Sequence, residues 1–460
     1  MTAGATLGDF SDGPTLHAKL AARELDEPVA ARKSADLARC RERLIRAGLT
    51  DRAPACAFLV PGRIEVLGKH TDYAGGRSLL ACAEQGFALL VAPRQDNRVR
   101  FWPVEGNAPC EFAIGPGLSP AAGHWSNYPM TVARRLARNF PGPLRGADLA
   151  FVSDLPPAAG MSSSSAMVVA AFLALSHAND LPLREAYRRN LRTPEDLAGY
   201  LGCVENGSDF GDLAGGRGVG TFGGSEDHTA ILCCRADALS LYSYCPVRHE
   251  ATVPLPTDAV FAVAASGVVA EKTGQALARY NRVSARARAA LEAWNLAAGR
   301  SDPHLAAATV SAPDAPERIR KVLRAATGGE FAGEELADRF EQFHAESFEI
   351  IPAAVEALRR GDLAGFGAQV ERSQGLAERL LGNQIPETSF LARSAREQGA
   401  WAASAFGAGF GGAVWALVPR AQGDQFLSAW SECYRRAFPA PAQRARFFLT
   451  RAAPSAGTVA

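Results

Sequence analysis

Residues 148–178 constrain this chain more than any other segment. DLAFVSDL, residues 148–155, has the length and apolarity of a strand. After PPAAGMSSSS the chain continues as AMVVAAFLALSHA, a strongly apolar helix. Backbone N–H groups at a helix N-terminus are unpaired and carry partial positive charge, so this junction can hold phosphate oxygens. Gly160 allows close approach of the backbone, and the hydroxyls of Ser162, Ser163 and Ser164 can donate to phosphate or ligate Mg²⁺. No G-x-x-x-x-G-K-[ST] run lies nearby, so this is not a Walker A loop. A simple cap or turn uses the same residues; the flanking strand and helix favour the phosphate reading.

Two other glycine-rich pieces point the same way. GRIEVLGKHTDYAGGRSLL, residues 62–80, opens as an alternating strand and then crowds Lys69, His70 and Asp72 between Gly68 and Gly75-Gly76. Gly407-Ala408-Gly409-Phe410-Gly411-Gly412 precedes a further strand. Three such loops in one chain suggest a nucleotide with several phosphates, held between domains.

A chain of 460 residues is long for one core, so two domains are expected. The division is an N-terminal helical extension over 1–50, a domain over 51–250 holding the first two loops, and a second domain over 251–460. Basic and acidic residues nearly cancel, 49 against 48, which argues against nucleic-acid binding through many phosphate contacts. The nine cysteines include no C-x-x-C pair, so no zinc or redox motif is suggested. With no signal-peptide pattern and no apolar run of membrane-spanning length, the expected location is cytoplasmic with reduced thiols, and the protein a monomer or weak homo-oligomer.

Further elements follow from pattern. A helix is expected over 34–49, strands over 86–104 joined by PRQDN, and a helix from His124 to Phe140. Thr193-Pro194-Glu195 starts a helix, ILCCRADALSLYSY reads as strand, and the proline-bearing segment 246–258 reads as the domain boundary. Long helices are expected over 271–298 and 335–360, and the residues after Arg451 are expected to be a mobile tail.

Together these pieces resemble the GHMP family of small-molecule kinases, and within it the galactokinases most closely. The family's P-G-R-x-x-x-x-G-E-H-x-D-Y-x-x-G is followed by Pro61 to Gly76, with Lys69 in place of the glutamate. P-x-G-x-G-L-S-S-S-A is matched by Pro156 to Ser165, with Ala158 and Ser165 as departures, and G-A-G-x-G-G is met by Gly407 to Gly412. Trp125-x-Asn127-Tyr128, Glu205-Asn206, Gly224-x-x-Asp227 and Tyr280 are similar to smaller galactokinase motifs. The resemblance implies an α+β, two-domain GHMP kinase fold: an N-terminal mixed α/β domain and a C-terminal ferredoxin-like domain, with ATP and Mg²⁺ in the cleft and a monosaccharide as phosphoryl acceptor.

It also implies roles. Asp227 would orient or deprotonate the sugar hydroxyl, and Arg63 beside it would keep it ionised and steady the phosphoryl charge. Ser164 and Glu205 would ligate Mg²⁺, Trp125 would stack on adenine, and Gly409 would approach the nucleotide. His70, Asp72, Gly224 and Tyr280 would surround the sugar. Glu205 and Asp227 stand farther apart than the family spacing, which implies an insertion within 207–218. Asp209 and Asp212 lie inside it as rivals for the role of Asp227.

The departures cluster at the sugar end: Lys69, Glu226 for methionine and His228 for glutamine. A cation at Lys69 invites an anionic substrate, a uronic acid or a phosphosugar, phosphorylated at the anomeric hydroxyl. The alternatives are a plain galactokinase, in which Lys69 turns away from the substrate, a non-catalytic sugar sensor, and a kinase for a non-sugar alcohol.

Overall fold

Two long antiparallel strands, β1 (Cys56–Leu67) and β2 (Arg77–Pro93), carry the Lys69-His70-Asp72 loop between them. The structure is a computed structural model describing residues 5–121, 123–156, 160–268 and 274–459. β1 and β2 join an eight-stranded sheet with β3 (Arg98–Pro103), β4 (Cys110–Ala113), β5 (Ala147–Ser153), β6 (Ala238–Ser243) and β7 (Arg248–Pro254). A second sheet holds β8 (Ala259–Ala265), β9 (Ala402–Phe406), β10 (Ala413–Pro419) and β11 (Arg446–Thr450), and the last strand, β12 (Gly457–Val459), returns to pair with β1.

Strand periodicity decides what covers each face of the first sheet, because neighbouring side chains point to opposite sides. Phe58 and Val60 of β1, Phe87, Leu89 and Val91 of β2, and Leu149 and Phe151 of β5 pack with the apolar Ser163–Ala178 helix. The alternate residues Ala57, Leu59, Ala88, Leu90, Ala150 and Val152 pack against Leu37, Cys40 and Leu44 of the Glu27–Arg46 helix. The N-terminal segment is therefore the second cover of the sheet. Each fully buried Leu, Val or Phe on these faces contributes about 1.5–3 kcal/mol.

The second sheet has the order β11-β8-β10-β9 and is antiparallel throughout, as a ferredoxin-like domain requires. Val260, Ala262 and Ala264 face Trp430 and Tyr434 on its outer side. Phe261, Val263 and Ala265 face inward and belong to the same apolar cluster as the first sheet. That continuous core holds the two domains against each other, with the glycine loops at their seam.

Several expected elements change. Ile231, Leu232 and Cys233 end the Glu226–Cys233 helix rather than begin a strand, so Asp227 sits on a helical first turn. Residues 248–254 are β7, hydrogen-bonded to β6, so the first sheet runs past position 250. The segment after Arg451 is not a loose tail: β12 extends the first sheet, and Arg451 pairs with Asp237 at 2.6 Å. β2 and β3 are separated by β5, to which β3 is parallel. Residues 271–273 of the expected long helix lie outside the described residues, as does Ala158; the helix is described as Gly274–Ala298. All nine cysteines are free thiols, and among the described residues no helix is long and apolar enough to cross a membrane.

Candidate active site

The chemistry gathers where β1, the Ser163–Ala178 helix and the Glu226–Cys233 helix converge. β1 changes register on both sides of Arg63, between Pro61 and Arg63 and again between Glu65 and Leu67. Such bulges re-aim side chains, and they coincide with the two charged residues of an otherwise apolar strand. Arg63 Nε lies 2.7 Å from Asp227 Oδ1, and its Nη1 donates to the Gly160 carbonyl at 2.8 Å. One guanidinium thus bridges the serine loop and the Asp227 helix. Burial alone would lower the Arg63 pKa, but the charges of Asp227, Glu65 and Glu226 drive it well above the ordinary value.

The Ser165 hydroxyl lies 2.9 Å from Glu205 Oε2 and 3.3 Å from Asp227 Oδ2, while His228 Nε2 is 3.1 Å from Glu205 Oε2. Ser165 and His228, two of the departures from the family pattern, therefore meet around Glu205. Ser162 is left-handed, with φ of 57°, and caps no N–H group of the helix it precedes. The helix start is thereby open to an anion. Ser163 is the first helical residue and Ser164 the next.

Arg63, His70, Asp72, Glu205, Gly224, Asp227 and Tyr280 line one cavity, joined by Glu65, Ser165, Glu226 and Gly407. Asp72 accepts the backbone N–H groups of Tyr73 at 2.8 Å and Glu226 at 3.0 Å. Gly224 is required here, since a Cβ on it would lie 2.4 Å from Asp72 Oδ2. The His70 ring meets Tyr73 Oη and the Ala408 carbonyl, each at 3.1 Å, and tilts against Tyr280. Burial raises the pKa of Asp72 and, more strongly, of Tyr280.

Other sequence-predicted residues lie elsewhere. Lys69 is not on the cavity wall: it is 1% exposed, and its Nζ donates to Ser404 Oγ at 2.8 Å. Ser373 Oγ, 3.5 Å from the same ammonium, donates to Glu346 Oε1 at 2.9 Å. Glu346 in turn accepts the Gly68 N–H at 2.8 Å, from a π-helical turn over Ala345–Ile350. The motif loop is thus bolted to the second domain through Lys69, and the expectation that Lys69 meets an anionic sugar is corrected by this geometry. Trp125 packs edge-on to Phe101 and Phe151 and, like Gly409, is not part of the cavity wall. Asp209 holds the Gly215 N–H and Asp212 pairs with Arg189 at 3.4 Å, so both are occupied within or beside the insertion. The insertion lies along the Asn127–Asn139 helix, where Arg135 donates to the carbonyls of Ser208 and Leu213 and Asn139 to that of Ala214.

Glu65 escaped sequence reasoning, which marks Ser165 only as a departure from the family pattern, with no role. Glu65 could have been found as the acid in an apolar alternating strand, and Ser165 as the polar residue standing where the family pattern has alanine.

Glu226 supplies a stability test. Its Oε2 accepts the Ser78 hydroxyl at 2.6 Å, and burial, followed by the Glu65 charge, raises its pKa well above the usual carboxylate range. A raised carboxylate keeps its proton in the folded state while the unfolded chain loses it. The associated stability is therefore complete below the ordinary Glu value and is lost as pH rises through the folded one. Glu226→Gln keeps the acceptor for Ser78 and removes the titration. Thermal melts should give the variant a Tm that gains on the wild type as pH rises above the ordinary carboxylate range; parallel Tm–pH curves would contradict this.

Among the described residues no group of three or more His, Cys, Asp or Glu side chains is arranged to hold a metal. Ser164 and Glu205 nevertheless offer the hard oxygen donors that suit Mg²⁺, whose shell is completed mainly by phosphate and water.

Comparison with known proteins agrees with this layout. The GHMP kinases N terminal domain matches residues 127–207, the GHMP kinases C terminal domain residues 354–436, and the galactokinase galactose-binding signature residues 49–93. A galactokinase of Glaesserella parasuis serovar 5 (strain SH0165) is 24% identical over 384 residues, covering 82% of this chain and 88% of the relative. A galactokinase of Roseiflexus sp. (strain RS-1) is 26% identical over 411 residues, covering 88% and 93%. In fold, the chain is similar to the crystal structure of Lactococcus lactis galactokinase complexed with galactose, with a TM-score of 0.71 and 22% identity over 88% of this chain and 95% of that one. With the galactose-binding signature and both kinase domains following one another along a single chain, this protein belongs to the GHMP kinases and is galactokinase-like.

Proposed function

We propose that this ATP-dependent sugar kinase transfers the γ-phosphoryl group of ATP to the anomeric hydroxyl of galactose. The observation that carries the reading is the galactose-binding signature over residues 49–93, whose span includes Arg63, His70 and Asp72 of the cavity wall. Asp227 accepts the proton of the attacking hydroxyl, and Arg63, 2.7 Å away, offsets negative charge at the transfer point. His70, Asp72 and Tyr280 hydrogen-bond the remaining hydroxyls, and Gly224 gives the sugar room. The open helix start at Ser162, Ser163 and Ser164, with Gly160, receives the phosphates; Gly409 borders them and Trp125 lies toward the adenine. Ser164 and Glu205 would hold Mg²⁺, which would supply charge neutralisation at the phosphates.

An anionic sugar has less support, since the ammonium that would recognise it is engaged with Ser404 and Ser373. The test is ADP release by purified protein with MgATP and galactose, glucose, galacturonate or glucuronate, followed by NMR of the product. Galactose is expected to be the best acceptor and galactose 1-phosphate the product. A uronic acid used faster than galactose would overturn the choice of substrate, and no ADP release with any sugar would favour a sensor.

A further inference from the structure

Ser165 Oγ stands between two acids of the cavity wall, 2.9 Å from Glu205 Oε2 and 3.3 Å from Asp227 Oδ2. The three side chains come from three helices. Ser165 is in the first turn of Ser163–Ala178, Glu205 in the last turn of Pro194–Asn206, and Asp227 in the first turn of Glu226–Cys233. Ser165 is 1% exposed, so this junction is sheltered from bulk water and its hydrogen bonds are not traded for solvent ones. The two oxygens of Asp227 are thus held from different elements: Oδ1 by the Arg63 guanidinium at 2.7 Å, Oδ2 by the Ser165 hydroxyl. The carboxyl torsion of an aspartate is soft, and one contact leaves the group free to pivot about it. Two contacts on separate oxygens fix its plane. The hydroxyl also puts a shared proton between two acids that would otherwise face each other as like charges.

We propose that Ser165 is a positioning residue for proton transfer, holding the Asp227 carboxylate in the orientation from which it meets the attacking hydroxyl and keeping it apart from Glu205. The proposal rests on the reading of Asp227 as the proton acceptor. As the sugar oxygen attacks the γ-phosphorus, the bond from that phosphorus to the ADP oxygen breaks and the hydroxyl proton passes to Asp227. Alignment matters at that moment more than during sugar binding, so the contribution of Ser165 falls on kcat rather than on affinity.

The experiment is a double-mutant cycle of Ser165→Ala with Asp227→Asn, read by ADP release with MgATP and galactose. Alanine stands at this position in the family pattern, so Ser165→Ala should fold, and a thermal melt checks it. Its kcat should fall about 5–30-fold, while KM for galactose, KM for MgATP and the galactose Kd from calorimetry each change less than about twofold. Ser165→Cys fills the same space with a much weaker hydrogen bonder and should resemble Ser165→Ala. In the Asp227→Asn background, Ser165→Ala should cost under about twofold, because the group it orients has lost its basicity. The same loss in both backgrounds, full activity in Ser165→Cys, or a loss confined to KM for MgATP would overturn the proposal and leave Ser165 a packing residue or a support of Glu205 alone. Failure of the wild type on galactose would instead overturn the functional reading, and the cycle would then be run on its best hexose.

Discussion

Replacing Asp227 with asparagine is expected to lower kcat by about 10²–10⁴-fold while KM for the sugar changes by only a few-fold. The substitution keeps the shape of the side chain and an oxygen that can accept from Arg63, now 2.7 Å from Oδ1. What it removes is the basicity needed to take a proton from the attacking hydroxyl and the negative charge that balances Arg63. Glu65 Oε2 and Glu226 Oε1 lie 3.5 and 3.6 Å from that guanidinium, so it stays paired and the fold should survive. Steady-state ADP release measures the effect, and a melt checks folding. A folded Asp227→Asn enzyme with kcat within threefold of wild type would remove Asp227 from the chemistry and return attention to its neighbours.

Charge reversal at Lys69 is the second large effect. Lys69→Glu would set a carboxylate in a buried network that already contains Glu346, one hydroxyl away through Ser373, and whose nearby acid Glu65 is favoured by the Lys69 charge. An uncompensated buried charge of this kind costs about 3–5 kcal/mol, whereas Lys69→Met, which only loses hydrogen bonds from a charged group, should cost about 1.5–3 kcal/mol. Urea unfolding reads both. Because the loop backbone is also held by Gln342 on the Lys69 carbonyl and Glu346 on the Gly68 N–H, Lys69→Met should fold and lose activity on galactose and galacturonate alike. A Lys69→Glu protein of unchanged stability that gains activity on neutral hexoses would show that Lys69 meets the sugar after all.

The candidate site was legible where chemistry is local in the chain. The glycine spacing of the three loops, Arg63 two residues after Pro61, and Asp227 three after Gly224 could be read directly, and the cavity wall brings Arg63, His70, Asp72, Glu205, Gly224, Asp227 and Tyr280 together. Secondary structure was less legible where burial overrides pattern. Ile231–Cys233 has the composition of a strand but completes one short helix, and residues 248–254, with prolines at both flanks, gain their strand from hydrogen bonds to β6. The short β12 has no internal signal, and it exists because β1 has an open edge for it.

By itself the sequence determined the likeness to the galactokinase-like kinases, the order of the loops and the candidate residues around Arg63 and Asp227, since those depend on fixed spacings within a few residues of backbone. Only the tertiary structure decided the sugar end. Whether Lys69 points to substrate depends on Ser404, 335 positions away along the chain, and Glu226 takes its raised pKa from burial beside Glu65. Side-chain direction in a buried loop is set by the partners that remove the cost of an unpaired charge, and those partners come from the other domain.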